Sequence, residues 1–245
     1  KPEVTSRLLE FEANIAVYHG QIAKALDLDR RSRAAAGNQS KKEIASGDAG
    51  ISETELLVGE TDQARKDAET AISAATDKLP QFTAAIALAM TGDGVRAQSV
   101  HDDISKRFPE DTIMQSILLP CLQAAIEYGR GNFAKAIDVL QPVTQYELSG
   151  FTNLDPAYLR GMTYLKLNKG AEAAAEFQKL IDHRGVVGTS ITGPLAHLGV
   201  ARARVLQNDT AGARTEYQNF LALWKDADPN LPIFKQAQEE YAKLK

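Results

Sequence analysis

Six turn signals recur along the chain at near-regular intervals: His19-Gly20, Gly59-Glu60, Gly92-Asp93, Gly131-Asn132, Asn168-Lys169 and Asn208-Asp209. The steps between them are 39, 33, 39, 37 and 40 residues. Glycine and asparagine tolerate the left-handed backbone that ends a helix. Five residues after each hinge stands an alanine: Ala25, Ala64, Ala97, Ala136, Ala173 and Ala213. Seven residues before each hinge stands a small residue: Ala13, Ser52, Ala85, Ala124, Gly161 and Ala201. Two helices of a tight hairpin approach closely only where both carry small side chains. Twelve such positions in register therefore predict a stack of helix–turn–helix units.

Larger residues fill the complementary places. Leu140, Phe177 and Tyr217 lie nine after their hinges, and Ala71, Ile104, Val143, Leu180 and Phe220 lie twelve after. With the alanines they form one stripe of the second helix, at spacings of four and three. Pro80, Pro109, Pro156 and Pro194 punctuate the boundaries between hairpins, and Asp155-Pro156 reads as an N-cap followed by a first-turn proline. Gly185 to Gly193 reads as a linker, the longest non-helical stretch inside the array. From Pro232 to Leu244 the pattern is one amphipathic helix, with Ile233, Ala237, Tyr241 and Leu244 on its apolar side. Such a helix would cover the apolar face of the last hairpin.

The segment Ala157 to Ile181 carries Gly161, Tyr164, Ala173 and Phe177, and Phe82 to Pro109 carries Ala85, Gly92-Asp93, Ala97 and the closing proline. In these residues the chain resembles the tetratricopeptide repeat family, over roughly residues 6 to 226. The first two hairpins depart from it at Asp29 and Ala68, and the last at Arg204. The expected fold is an all-α superhelical solenoid forming one array over residues 1–245. Its hairpins fall at about 6–35, 40–77, 80–107, 112–147, 156–183 and 193–226, with a capping helix at 232–244.

The resemblance implies a concave groove lined by the first helices, where partner peptides lie. Carried over to the positions ten, six and three before each hinge, it places Glu10, Asn14, Glu53, Leu56, Phe82, Ile86, Cys121, Tyr128, Tyr158, Met162, Leu165 and Arg202 in that groove. One subclass of the family clamps a carboxylate terminus with lysine and asparagine; here Asn14 is paired with Glu10, of the wrong charge. An apolar extended or helical segment is the expected ligand. The texture of Asp182-His183-Arg184-Gly185, Pro194 to Gly199 and Phe220 to Pro229 looks like the tail repeats of bacterial serine/threonine protein kinases, or of membrane-anchored winged-helix regulators. The kinase motifs themselves do not occur in this chain. Since it opens Lys1-Pro2-Glu3, it is read as a piece of a longer protein.

Chemistry of other kinds finds little support. There is no nucleophile elbow, Walker loop or dinucleotide fingerprint, so no catalytic, cofactor-binding or metal residue is assigned. The histidines His19, His101, His183 and His197 are not spaced as a helical metal pair. The one cysteine, Cys121, cannot form an intrachain disulfide and reads as a small buried apolar side chain. A net charge of -4 without a basic stripe speaks against nucleic acid. The apolar run Ile113 to Ile126 is broken by Gln115, Ser116, Pro120 and Gln123, which speaks against membrane insertion. The functional expectation is a protein-interaction scaffold and not an enzyme. Homodimerisation through the C-terminal helix or an uncapped end is the alternative. A cytoplasmic setting is favoured, with an extracytoplasmic one if the parent is membrane-anchored.

Overall fold

The computed structural model describes residues 2–37, 41–149, 152 and 154–244. Every described element is helical. The helices are α1 (Pro2–Tyr18), α2 (Ile22–Ala36), α3 (Lys41–Val58), α4 (Thr61–Ala74), α5 (Lys78–Met90), α6 (Gly94–Arg107), α7 (Leu119–Gly129), α8 (Phe133–Leu140), α9 (Asp155–Lys166), α10 (Gly170–Asp182), α11 (Arg184–Val187), α12 (Thr192–Leu206), α13 (Thr210–Leu223) and α14 (Pro232–Ala242). A π-helical turn, Met114–Leu118, leads into α7, and a 3-10 turn, Gln141–Tyr146, follows α8.

The hinges share one backbone construction. Gly20, Gly59, Gly92, Gly131, Asn168 and Asn208 have φ of 69°, 91°, 99°, 80°, 55° and 60°. The residue after each hinge donates its N–H to the carbonyl five residues back, from Gln21 to Ala16 at 2.9 Å through Asp209 to Arg204 at 2.9 Å. That bond closes the first helix in a Schellman motif. The carbonyl of the same residue then accepts from the alanine four residues on, as in Ala64 to Glu60 at 2.9 Å and Ala173 to Lys169 at 2.9 Å. One residue thus ends one helix and starts the next. The turn has no spare length, and this is why the small residues stay in register. All twelve of them are buried.

Successive first helices pack side by side, α3 on α5, α5 on α7, α7 on α9 and α9 on α12. Second helices α4, α6, α8 and α10 each pack on the next first helix. The closest approach is at Gly129 of α7, where a Cβ would fall 2.0 Å from the Ala89 carbonyl oxygen. A second tight place holds the Phe177 ring between Gly161 of α9 and Gly199 of α12. Arg160, buried on α9, pairs with Glu147 and with Glu176 at 2.7 Å, tying α9 to α10 and to the turn before it.

Three features differ from the sequence expectations. The stretch Gly185 to Gly193 is not wholly a loop: it holds most of α11, and α12 begins at Thr192. Its glycines did not prevent a short helical turn, because Val187 and Ile191 find buried places that hold the backbone. Asp155 is the first residue of α9, not its cap; Leu154, fully buried with φ 63°, occupies the capping position.

The third difference is larger. The array is the expected helical solenoid, but its first and last hairpins are joined, which the sequence did not announce. Trp224 Nε1 donates to the Tyr18 carbonyl at 3.0 Å, Asp228 N to the Gly20 carbonyl at 3.0 Å, and Ala23 N to Asp228 Oδ2 at 2.7 Å. Ile22 of the first hairpin and Val58 of the second join the same apolar core as Trp224, Phe220 and Phe234. The helix α14 covers α13 as anticipated, through buried Phe234 and Ala237, and also meets α3, where Pro232 packs on Gly59. A single helix therefore caps the last hairpin and joins it to the second.

Candidate partner-binding cavity

Closing the ends turns a groove into a lumen. The inward faces of the first helices line an apolar cavity of about 120 Å³. From α3 come Glu53, Leu56 and Leu57, and from α5 Phe82, Ile86 and Met90. The α7 region supplies Leu118 and Cys121; α9 supplies Asp155, Tyr158, Leu159 and Met162; Thr192 comes from α12. A wider, polar compartment of about 440 Å³ adjoins it, lined by Asn14, Thr54 and residues 186–192. Glu53, Leu57, Asp155 and Thr192 border both spaces. The whole has an apolar end, a polar mouth and two carboxyl groups at the junction.

Those carboxyl groups are electrostatically unusual. Neither Glu53 nor Asp155 has a side-chain hydrogen bond or ion pair with a described residue. Asp155 keeps exposed area and borders both compartments. Burial among protein atoms raises the Glu53 carboxyl above its ordinary range. Asp155 is pushed well up by the same desolvation and then by the charge of Glu53. Burial also drives the Cys121 thiol up to about 12, so this cavity-lining cysteine is not a thiolate nucleophile at neutral pH.

Of the groove positions read from the sequence, the structure brings Glu53, Leu56, Phe82, Ile86, Cys121, Tyr158 and Met162 to the apolar cavity, and Asn14 to the polar compartment. Four go elsewhere. Glu10 accepts from Ser6 at 3.4 Å and Ser32 at 3.3 Å, and so faces α2. Tyr128 packs edge-on against Phe133 at 5.4 Å. Leu165 lies half-buried against the C-terminal core. Arg202 donates to Glu240 at 2.9 Å, held by the capping helix. The end hairpins account for Glu10 and Arg202: their inner faces are used by α2 and α14.

Residues that the sequence rule missed include Leu57, Met90, Leu118, Asp155, Leu159 and Thr192. Met90 and Leu159 sit one position from the stripe, within the width of a helix face. Asp155 carried a signal as the first acidic residue before a proline, but a capping role explained it away.

Other polar clusters lack the shape of a site. His197 meets Glu216 at 2.6 Å across α12 and α13, and His101 meets Asp102 at 3.0 Å on the surface. Among the described residues no group of three or more His, Cys, Asp or Glu is placed to hold a metal ion. No described helix is long and apolar enough to cross a membrane.

No protein-family model matches the chain, and no curated protein does either. Among solved structures it is similar to the crystal structure of the P58(IPK) TPR domain, at 12% identity over 98% of this chain and 79% of that one, with a TM-score of 0.44.

Proposed function

We propose that this chain is a protein-interaction scaffold that receives part of a partner in the lumen formed by its first helices. The observation that carries this is the cavity itself. Seven side chains expected in the groove converge on one apolar space instead of filling it. Concave, mostly apolar pockets with a few polar groups are where proteins usually hold small apolar groups, and a single side chain of a partner is of that size. Burial holds the one thiol in the cavity, Cys121, in its protonated form at neutral pH. The likeness of the C-terminal half to kinase and regulator tails supports a parent signalling protein for which this array recruits substrates or partners.

The test fills the cavity from within. Ile86→Trp and Met162→Trp place an indole where the ligand would sit. In pull-downs from lysate of the source organism, a protein held by the parent chain should be lost with both variants and kept by the remote surface variant Val95→Ala. Identical protein sets in all four would end this reading.

A second reading, self-association, has its own observation. Val4, Leu8, Phe11 and Ile15 on α1 are exposed by 54%, 60%, 67% and 47%, an unpartnered apolar stripe at helical spacing. The C-terminal helix offers less for this purpose, since Phe234 and Ala237 are buried and Ile233, Tyr241 and Leu244 pack partly buried against the C-terminal core. Light scattering at high micromolar concentration decides: a clean monomer removes it.

A further inference from the structure

We infer that the lumen takes an apolar group that carries a cation, such as a lysine or arginine flanked by apolar residues in a protein partner, with its charge set between Glu53 and Asp155. This rests on the partner-binding reading above and adds the chemistry of what binds.

The inference starts from what surrounds the empty space. One end is apolar, with Phe82, Ile86, Met90 and Met162 as its walls. A volume of about 120 Å³ suits one aromatic ring or branched aliphatic group, and an apolar cavity of that order holds apolar guests without bound water. At the other end stand two carboxyl groups with no described basic side chain paired to either. Two acids set near each other in a protein-walled lumen repel once ionised, and burial makes the repulsion dearer. A structural pair would come with an arginine or lysine, as buried Glu147 and part-buried Glu176 do with Arg160. Here the counter-charge is not supplied by the described chain. A ligand cation would supply it, and a ligand anion would be turned away. Lysine and arginine also bring an apolar stem that lies along apolar walls while the head reaches the acids.

The test uses small probes of one shape and three charges: 2-phenylethylammonium, 2-phenylethanol and 3-phenylpropanoate. Methionine methyl signals in carbon-13 NMR report the site, because Met90 and Met162 line the cavity while Met114, 1% exposed in the core, serves as the internal control. The ammonium should shift Met90 and Met162 and bind about tenfold or more tightly than the alcohol, with the carboxylate weakest. In Glu53→Gln/Asp155→Asn the alcohol should still bind and the ammonium should lose its advantage. Comparing the three probes on the unaltered protein keeps the test valid even where the double variant does not fold.

Equal binding of ammonium and alcohol, or tighter binding of the carboxylate, would overturn the cationic assignment and leave the cavity reading standing. A charge preference that survives in the double variant would overturn it too. Failure of all three probes to move Met90 and Met162 would remove both readings together.

Discussion

The indole Nε1 of Trp224 donates a 3.0 Å hydrogen bond to the carbonyl of Tyr18, joining residues 206 positions apart. The ring is fully buried, packed on Phe220 at 4.8 Å and Phe234 at 6.1 Å. Gly20 lies against it so closely that a Cβ there would come within 2.8 Å of both the indole and Ala227. This contact joins the first hairpin to the last, together with the Asp228 bonds to Gly20 and Ala23.

Trp224→Ala should therefore cost about 3–5 kcal/mol, the usual range for losing a buried large aromatic, and should raise the radius of gyration in small-angle scattering. A milder variant, Asp228→Ala, removes the carboxylate that caps Ala23 and should loosen the same junction. Trp224 is the one tryptophan, so its emission in the parent protein reports the junction directly. A red shift in denaturant ahead of helix loss is expected. An unchanged radius of gyration in Trp224→Ala would mean that the other contacts suffice to hold the ends together.

The Phe177 ring sits between two backbones. A Cβ at Gly161 would come within 2.8 Å of it and one at Gly199 within 2.6 Å. Neither glycine has a positive φ, so space and not backbone conformation requires them. Gly199→Ala and Gly161→Ala should each destabilise by about 1–3 kcal/mol through overpacking. The helix propensity of alanine works in the opposite direction by about 1 kcal/mol. Adding Phe177→Leu to Gly199→Ala should recover part of the loss in a urea titration; strict additivity would show that the ring is not the obstacle.

Glu55 provides a pH signature. It is buried on α3 with one carboxylate oxygen lacking a partner. Burial first, and then the neighbouring Asp67 and Glu60, raise it from 4.5 to about 8. The folded protein holds this proton in a window where the unfolded chain has released it. Its contribution is fully present below pH 4.5, declines through the window, and is lost above about pH 8. Glu53 and Asp155, also raised, act in the same sense. The melting temperature should fall by roughly 4 °C or more from pH 5 to pH 9, and Glu55→Gln should flatten much of that slope. A slope unchanged in the variant would assign the effect to other groups.

Tyr158 is both wall and core. It is 8% exposed, borders the cavity, and packs edge-on against Phe177 at 5.5 Å. Tyr158→Ala is expected to lose about 3–5 kcal/mol of stability, so weakened partner binding in that variant would not by itself locate the site. Tyr158→Phe keeps the packing and should melt close to the parent protein. For the cavity, Ile86→Trp is the cleaner instrument, because it adds volume to a space already present.

The hairpins were legible in the sequence because every contact that makes them lies within about thirty residues. Gly20, Gly59, Gly92, Gly131, Asn168 and Asn208 announced the left-handed turns, and all six adopt them. The small residues seven before and five after each hinge announced the close helix contact, and all are buried. What lay beyond such reach was not legible. The rotation from each hairpin to the next is small and set by the details of packing, and only its sum over the array decides where the ends go. That sum brings Trp224 to Tyr18 and Pro232 to Gly59. It also sets Asp155 and Glu53 on the same two cavities, sends Arg202 to Glu240, and leaves Val4, Leu8, Phe11 and Ile15 outside. The fold followed from a local pattern repeated six times; the lumen and its two carboxyl groups followed from the closure, which no single repeat encodes.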